Sequence, residues 1–142
     1  MIRTFWTLQS KVEDSLKKHK LTLAQFDLLA MLLGLEDLNQ QELAKKLAVT
    51  KGNMVGLVNR LSRRGFVKRV PSRQGRRANV IRLTTSGRRL VLAALPDHLR
   101  LVDSMISLLG LKEQEELRLS LKRLEQGPQD TEPRPVLSEP RP

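Results

Sequence analysis

The sequence predicts a mainly α-helical fold with one β-hairpin, and three observations predict it. Apolar residues make up 39% of the 142 residues but aromatic residues only 3%, which favours packed helices over a sheet sandwich. Most apolar residues recur every three or four positions, as they do along one face of a helix. Residues 66–84 instead hold two short apolar runs around a polar loop with a glycine, which is typical of a hairpin. The length fits one domain, which we expect over residues 1–126.

Two N-terminal helices are predicted from an apolar stripe and a cap. The first should cover residues 2–19, with its stripe formed by Phe5, Leu8, Val12 and Leu16. The second should begin at Thr22, because the Thr22 hydroxyl and the Gln25 amide fit a capping box. It should end at Gly34, since glycine tolerates the left-handed conformation that many helix ends need.

A helix-turn-helix is predicted over about residues 39–64. Asn39 and Glu42 form a second capping box, which begins a short helix. After a tight turn Thr50 caps the next helix, and Gly65 should terminate it. Its core-facing stripe consists of Met54, Leu57, Val58 and Leu61. Two short helices joined by a turn of three or four residues have the spacing of this motif.

The hairpin that follows is expected to form a wing over about residues 66–84. Residues 66–70 and 79–84 read as its two strands, with residues 71–78 as the loop. A wing directly after a helix-turn-helix makes the predicted fold a winged helix-turn-helix.

The C-terminal region is predicted to contain two helices. The first should run over residues 85–109, with a kink or break at Pro96, and end at Gly110. The second should cover residues 112–126. These helices and the N-terminal one carry more apolar surface than a small winged domain can cover, so we expect them to form a dimerisation region. The Pro-rich tail, residues 127–142, has no apolar period and is expected to be disordered.

The positive charge of the chain is concentrated in one segment, Thr50–Leu90. This segment holds twelve basic residues and no Asp or Glu, whereas the remaining residues carry 14 Lys and Arg against 15 acidic residues. The net charge of +11 therefore arises entirely within it. Such a segment favours a partner with dense negative charge, and the phosphate backbone of a nucleic acid is the commonest one.

The composition argues against several other classes of protein. The absence of cysteine removes disulfides, thiolate chemistry and cysteine-type zinc sites. We find no glycine-rich phosphate loop and no His–carboxylate cluster, so we expect no enzymatic activity, no metal and no cofactor. His19 and His98 should be solvent-exposed or helix-capping, and Trp6 should belong to an interface rather than an effector pocket. Without a signal peptide or an apolar run of about 18 residues, no membrane association is expected and a cytoplasmic location follows.

Four stretches together resemble the MarR family of bacterial and archaeal transcriptional regulators. They read LTLAQFDLLAML, QQELAKKLAVT, NMVGLVNRLSRRGFVKR and GRRANVIRLTTSGRRL, and the resemblance spans roughly residues 20–126. It implies a homodimer that binds a pseudo-palindromic operator in double-stranded DNA and usually represses transcription. It also implies release by a small, commonly aromatic, ligand. The sequence departs from the family at the wing tip, where Gly75 precedes Arg76 and Arg77 in place of the usual Asp.

The candidate DNA-binding residues lie mainly on the second helix of the motif. We expect its exposed face to enter a major groove, where Asn53 or Asn59 could read adenine and Val55 could meet a thymine methyl group. Gly52 and Gly56 on this face suggest a close approach of the backbone to its partner. Phosphates should be held by Lys51, Arg60, Arg63 and Arg64, and by the helix N-termini at Gln40 and Thr50. In the wing, Arg73, Arg76 and Arg77 should reach the neighbouring minor groove.

Two alternatives stay open at this point. The chain could be a ligand-independent or architectural DNA-binding protein, or a module that binds RNA or another nucleic acid. RNA-binding modules usually present stacking aromatic residues, and the basic segment contains only Phe66. Taken singly, Arg63, Arg64, Lys68 and Arg69 are as easily explained as solvated surface charges.

Overall fold

The computed structural model describes residues 2–35, 37–72 and 79–127. The elements, in chain order, are α1 (Ile2–Lys17), α2 (Leu23–Gly34), α3 (Gln40–Lys46), α4 (Lys51–Arg63), β1 (Val67–Pro71), β2 (Asn79–Leu83), α5 (Thr85–Ile106) and α6 (Leu111–Gln126). The predicted fold class, mainly α with a winged helix-turn-helix, is confirmed. The chain divides into two compact units, Met1–Asp103 and Ser104–Pro142. The expected disorder of the Pro-rich tail concerns residues that, apart from Gly127, lie outside the described part.

The first two helices follow the predicted pattern closely. The Thr22 capping box is present: the Gln25 backbone N–H donates to the Thr22 hydroxyl, and the Thr22 N–H donates to the Gln25 side chain. In α1 only the C-terminal end of the stripe is buried. Leu16 is fully buried, whereas Phe5 is 60% exposed. The helix α2 ends at Gly34, but the expected left-handed glycine is absent, because this glycine has no positive φ.

The helix-turn-helix forms where its caps predict. Asn39 accepts hydrogen bonds from the backbone N–H groups of Gln41 and Glu42, each at 2.9 Å. The turn between α3 and α4 contains Ala48 in a left-handed conformation, with φ of 51°. Gly65 after α4 has φ of 75° and is the left-handed terminator that was predicted. The four apolar residues of the predicted stripe on α4 are all buried.

The two wing strands pair antiparallel, from Val67 opposite Leu83 to Pro71 opposite Asn79. The sheet also has a contribution that the sequence did not reveal. The Ile81 N–H donates to the Leu38 carbonyl oxygen at 3.0 Å, and an isolated bridge joins the residue after Leu38 to β2. The residues that precede α3 are therefore hydrogen-bonded to β2 of the wing.

Thr84 connects the start of α5 to the segment after α4 by hydrogen bonds. Its hydroxyl donates to the Gly65 carbonyl oxygen at 2.6 Å and accepts from the Gly87 N–H at 3.0 Å. Its own N–H donates to the Phe66 carbonyl oxygen at 3.0 Å. Gly87 packs so closely on this segment that a Cβ atom there would lie 2.0 Å from the same oxygen. Within residues 83–87, Thr84 therefore caps α5, and Gly87 allows α5 to pack closely on the backbone of Phe66.

In the C-terminal region, a break at Pro96 and a helix end at Gly110 are wrong, whereas a kink at Pro96 stays a prediction. The helix α5 is not broken at Pro96 but continues through it to Ile106. Gly110 does not end that helix. It precedes α6 as its N-cap, and its N–H donates to the Glu113 carboxylate at 2.7 Å. Within α6 no residue is buried, and its exposed leucines are Leu111, Leu117, Leu119, Leu121 and Leu124.

The hydrophobic core of the first unit is formed mainly by α2, α4 and the sheet. Its buried residues are Leu16, Leu21, Phe26, Leu28, Leu29, Leu32, Leu43, Ala44, Met54, Leu57, Val58, Leu61, Val67, Ile81, Val91 and Ala94. Every one of them lies in the first unit, so this core holds the helix-turn-helix and the wing strands in place.

The two histidines are neither exposed nor capping, in contrast to the prediction. His19 Nε2 lies 2.8 Å from the Asp97 carboxylate, and both side chains are mostly buried. Hydrogen bonds from Lys18, His19 and Arg100 hold the pKa of Asp97 well below its ordinary value. The His98 ring packs on Phe26, with 4.6 Å between the ring centroids. The sequence could not show this, because the contacts join residues about 75 positions apart. Among the described residues, no His, Cys, Asp and Glu group could hold a metal ion.

No helix in the described part of the chain is long and apolar enough to span a membrane.

Candidate nucleic-acid interface

One face of α4 projects away from the core and carries the predicted base-reading residues. Lys51, Gly52 and Asn53 are exposed, and Val55 is 41% exposed, which is unusual for a valine in a helix whose other face is fully packed. The Thr50 hydroxyl accepts from the Asn53 N–H at 3.2 Å and caps the helix. The remaining free N–H groups of the first turn point out at this end of α4 and, with the helix dipole, favour an anion there.

The two glycines of this face have different surroundings. A Cβ atom on Gly52 would meet nothing within 4 Å, so the folded chain itself does not require glycine there. At Gly56 the nearest atom to such a Cβ would be an Arg60 guanidinium nitrogen, at 3.4 Å. Gly56 therefore leaves room for the Arg60 side chain to lie back along the helix. Only Gly52 keeps the predicted role of a close backbone approach without another explanation.

Arg69 of β1 connects three elements of the interface. Its guanidinium donates to the Asn59 side-chain oxygen at 2.7 Å and, more weakly, to that of Gln40 at 3.4 Å. Arg69 therefore brings together Gln40 of α3 and Asn59 of α4, two predicted DNA-binding residues. Taken singly in the sequence, Arg69 is as easily explained as a solvated surface charge. Strand alternation could have indicated this role of Arg69. Arg69 lies two residues after the buried Val67, so both side chains lie on the same face of β1, the face toward the helices.

Arg64 is engaged elsewhere. Its guanidinium donates to the side-chain oxygen of the buried Gln25 at 3.3 Å and lies 4.8 Å from the centre of the Phe66 ring. A cation over an aromatic face is attracted by the ring electrons. Arg64 therefore packs the end of α4 against α2, and the prediction that it holds a phosphate has no support from this geometry.

The remaining cations form a nearly uncompensated basic surface. Exposed side chains include those of Lys51, Arg60, Arg63, Lys68, Arg69, Arg88 and Arg89. Within the described part of Thr50–Leu90, only Arg82 forms an ion pair with a described carboxylate, that of Asp37. This pair is mostly buried and joins β2 to the loop after α2, so it anchors the wing rather than neutralising the exposed surface.

The three arginines predicted at the wing tip, Arg73, Arg76 and Arg77, lie outside the described residues. The strands on either side of these residues are described: β1 begins shortly after the C-terminal end of α4, and the antiparallel β2 ends opposite the start of β1. Of the other predicted residues, Gln40, Thr50, Lys51, Gly52, Asn53, Val55, Gly56, Asn59, Arg60 and Arg63 all belong to α3, α4 or the cap of α4. These ten residues therefore lie on the helix-turn-helix, whereas the placement of the three wing arginines stays a prediction.

Comparison with known proteins agrees with this architecture. The sequence model of the MarR family matches residues 19–78. An uncharacterized HTH-type transcriptional regulator of Bacillus cereus (strain ZK / E33L) is 36% identical over 86 residues, which cover 61% of this chain and 56% of the relative. The match thus spans only a little more than half the length of that protein.

Two further similarities extend over most of the chain. The HTH-type transcriptional regulator MhqR of Bacillus subtilis (strain 168) is 27% identical over 122 residues, which cover 86% of this chain and 84% of MhqR. The crystal structure of a complex of S. aureus MepR with DNA superposes with a TM-score of 0.80 at 25% identity, covering 87% of this chain and 92% of MepR. The chain is thus similar to the MarR family in sequence over residues 19–78, and to MhqR and MepR over most of its length.

Proposed function

We propose that the chain is a sequence-specific, double-stranded DNA-binding transcriptional regulator that acts as a repressor in the cytoplasm. The observation that carries this proposal is the exposed basic surface on α4 and the wing strands, where Arg82 is the only described cation that forms an ion pair with a described carboxylate. A surface of this charge on a helix-turn-helix matches the phosphate backbone of a duplex. The similarity to MepR, whose structure was solved with DNA, supports the same conclusion. The proposal assigns no catalytic step to the chain.

The proposed binding mode follows from the position of each element. The exposed face of α4 enters the major groove with Asn53 and Val55 toward the base edges. Lys51, Arg60 and Arg63 contact phosphates, and the N-termini of α3 and α4 at Gln40 and Thr50 add backbone N–H donors. The wing arginines, Arg73, Arg76 and Arg77, extend toward the adjacent minor groove.

We further propose that the functional species is a homodimer. In the first unit Phe5 and Trp6 of α1 are 60% and 59% exposed, and in the second unit Leu111 and Leu124 are 85% and 74% exposed. Soluble proteins rarely leave so many large apolar side chains in contact with water, so we expect a second copy of the chain to bury them at a dimer interface. A two-fold dimer implies a pseudo-palindromic operator with half-sites about 34–36 Å apart. Release by a small aromatic ligand, which the family resemblance implies, completes the proposal.

Selection of bound sequences from a random DNA pool tests the proposal. A regulator should enrich a palindromic motif and bind it at least about 10³-fold more tightly than random duplex at the same salt concentration. Equal affinities for the selected and random duplexes would instead identify an architectural DNA-binding protein. Preference for a single-stranded or structured RNA competitor would identify the RNA-binding alternative.

Replacing Gly52 with alanine should separate folding from DNA binding. Because the position has open space around it, alanine should stabilise α4 by about 0.5–1 kcal/mol relative to glycine. If the helix backbone lies against the duplex here, the added methyl group should overpack that contact at a cost of about 1–3 kcal/mol. The affinity for the selected operator should then fall by roughly tenfold or more. Thermal unfolding and fluorescence anisotropy measure the two effects, and an unchanged affinity would place Gly52 outside the contact.

A further inference from the structure

We propose that Arg69 is a positioning residue for base readout, an inference that rests on the proposed function. Its guanidinium holds Asn59 and Gln40 by their side-chain oxygens. An amide side chain held by its oxygen turns its NH₂ group away from the holding residue. Asn59 therefore meets the duplex as a hydrogen-bond donor.

This orientation changes which bases Asn59 can read. Bidentate recognition of adenine needs the amide oxygen to accept from the adenine amino group while the NH₂ donates to N7. The Asn59 oxygen accepts from Arg69 at 2.7 Å, a short hydrogen bond to a cation, so the oxygen is directed toward β1 and keeps only one further acceptor site. An NH₂ group directed away from Arg69 suits base edges that offer acceptors, which in the major groove include guanine O6 and N7 and thymine O4. The geometry thus favours guanine or thymine opposite Asn59 and disfavours adenine.

The charge of Arg69 is retained in this arrangement. Both of its described partners are neutral amides, so the guanidinium orders them without being neutralised. Arg69 is itself exposed and lies among the other cations of the surface, where it adds to the attraction for phosphates. A carboxylate at position 59 would keep the orienting contact but cancel the charge and remove the NH₂ donor.

The experiment compares base preferences of matched variants in pool selections on the full chain. Arg69→Ala and Lys68→Ala each remove one positive charge from neighbouring exposed positions of β1, but the Lys68 side chain, unlike that of Arg69, forms no hydrogen bond within the described part of the chain. Wild type should show a preference of about fivefold for guanine or thymine at one position of each half-site, the effect of one oriented hydrogen bond. Arg69→Ala should lose that preference, whereas Lys68→Ala should weaken all sequences alike and keep it.

A second variant keeps the test decisive if Arg69→Ala folds poorly. Asn59→Asp retains a partner for Arg69 and should unfold at no lower temperature than wild type, yet it should lose the same preference because it has no donor. If Arg69→Ala or Asn59→Asp keeps the wild-type preference for guanine or thymine, the inference is wrong. It is also wrong if Lys68→Ala loses that preference to the same extent as Arg69→Ala. A wild-type pool without any enriched sequence would overturn the proposed function itself and the inference with it.

Discussion

Replacing Gly87 with alanine should destabilise the first unit more than any other single methyl addition that the described glycines offer. The new Cβ would lie 2.0 Å from the Phe66 carbonyl oxygen and 2.8 Å from its carbon, and both are backbone atoms. Rotation of a side chain cannot relieve this overlap, so α5 must move away from the segment after α4. Such a movement also weakens the Thr84 hydrogen bonds to Gly65 and Gly87.

The expected cost of this change is about 3 kcal/mol, at the upper end of the usual range for overpacking. For a domain of this size the midpoint of thermal unfolding should fall by roughly 10 °C. Circular dichroism measures it, with Gly52→Ala as the control that adds the same methyl group in open space. Equal midpoints for the two variants would show that the contact between α5 and Phe66 is not a fixed part of the fold.

Removing two phosphate contacts should have the second large effect. In the double variant Lys51→Ala with Arg63→Ala, both lost side chains are exposed on α4, at its start and its end. Each phosphate contact contributes about 0.9 to the slope of log affinity against log salt, so the slope should decrease by about 1.8. The same relation gives a loss of affinity of roughly 30-fold near 0.15 M salt, for operator and random duplex alike.

A matched control for this variant removes the same charge elsewhere. Lys11→Ala with Lys122→Ala neutralises two exposed lysines on α1 and α6, outside the proposed interface. Its salt slope should stay close to that of wild type in anisotropy titrations over several salt concentrations. Equal slopes for both double variants would mean that net charge, rather than contact by α4, governs binding.

The parts of the fold that could be predicted are those determined by neighbouring residues. Thr22, Asn39 and Thr50 fixed three helix starts, because a cap and its partners lie within three residues of each other. The buried face of α4 followed from helical spacing alone. The break that was one of two outcomes predicted at Pro96 does not occur, because packing around a helix can hold it together at a proline, and here Val91 and Ala94 before it are buried.

The parts that were missed depend on contacts between distant residues. The hydrogen bond between Ile81 and Leu38 joins positions that no local pattern relates. Strand alternation gives the side of β1 on which Arg69 lies, but it does not give Gln40 as a partner. The same holds for the proposed site: caps and charge predict its helix-turn-helix members, whereas the orientation of Asn59 depends on a strand residue ten positions further on. The contact between His19 and Asp97 belongs to this class as well.

The scarcity of ion pairs among the described residues of the basic surface has opposite consequences for the free protein and its complex. Like charges that face one another across α4 and the wing strands repel, so the unliganded fold carries electrostatic strain that added salt relieves. Binding of a duplex relieves the same repulsion by supplying counter-charges. Added salt therefore weakens the complex with DNA but stabilises the free protein. At low ionic strength the free protein should be least stable, and DNA should there raise the stability of the fold most.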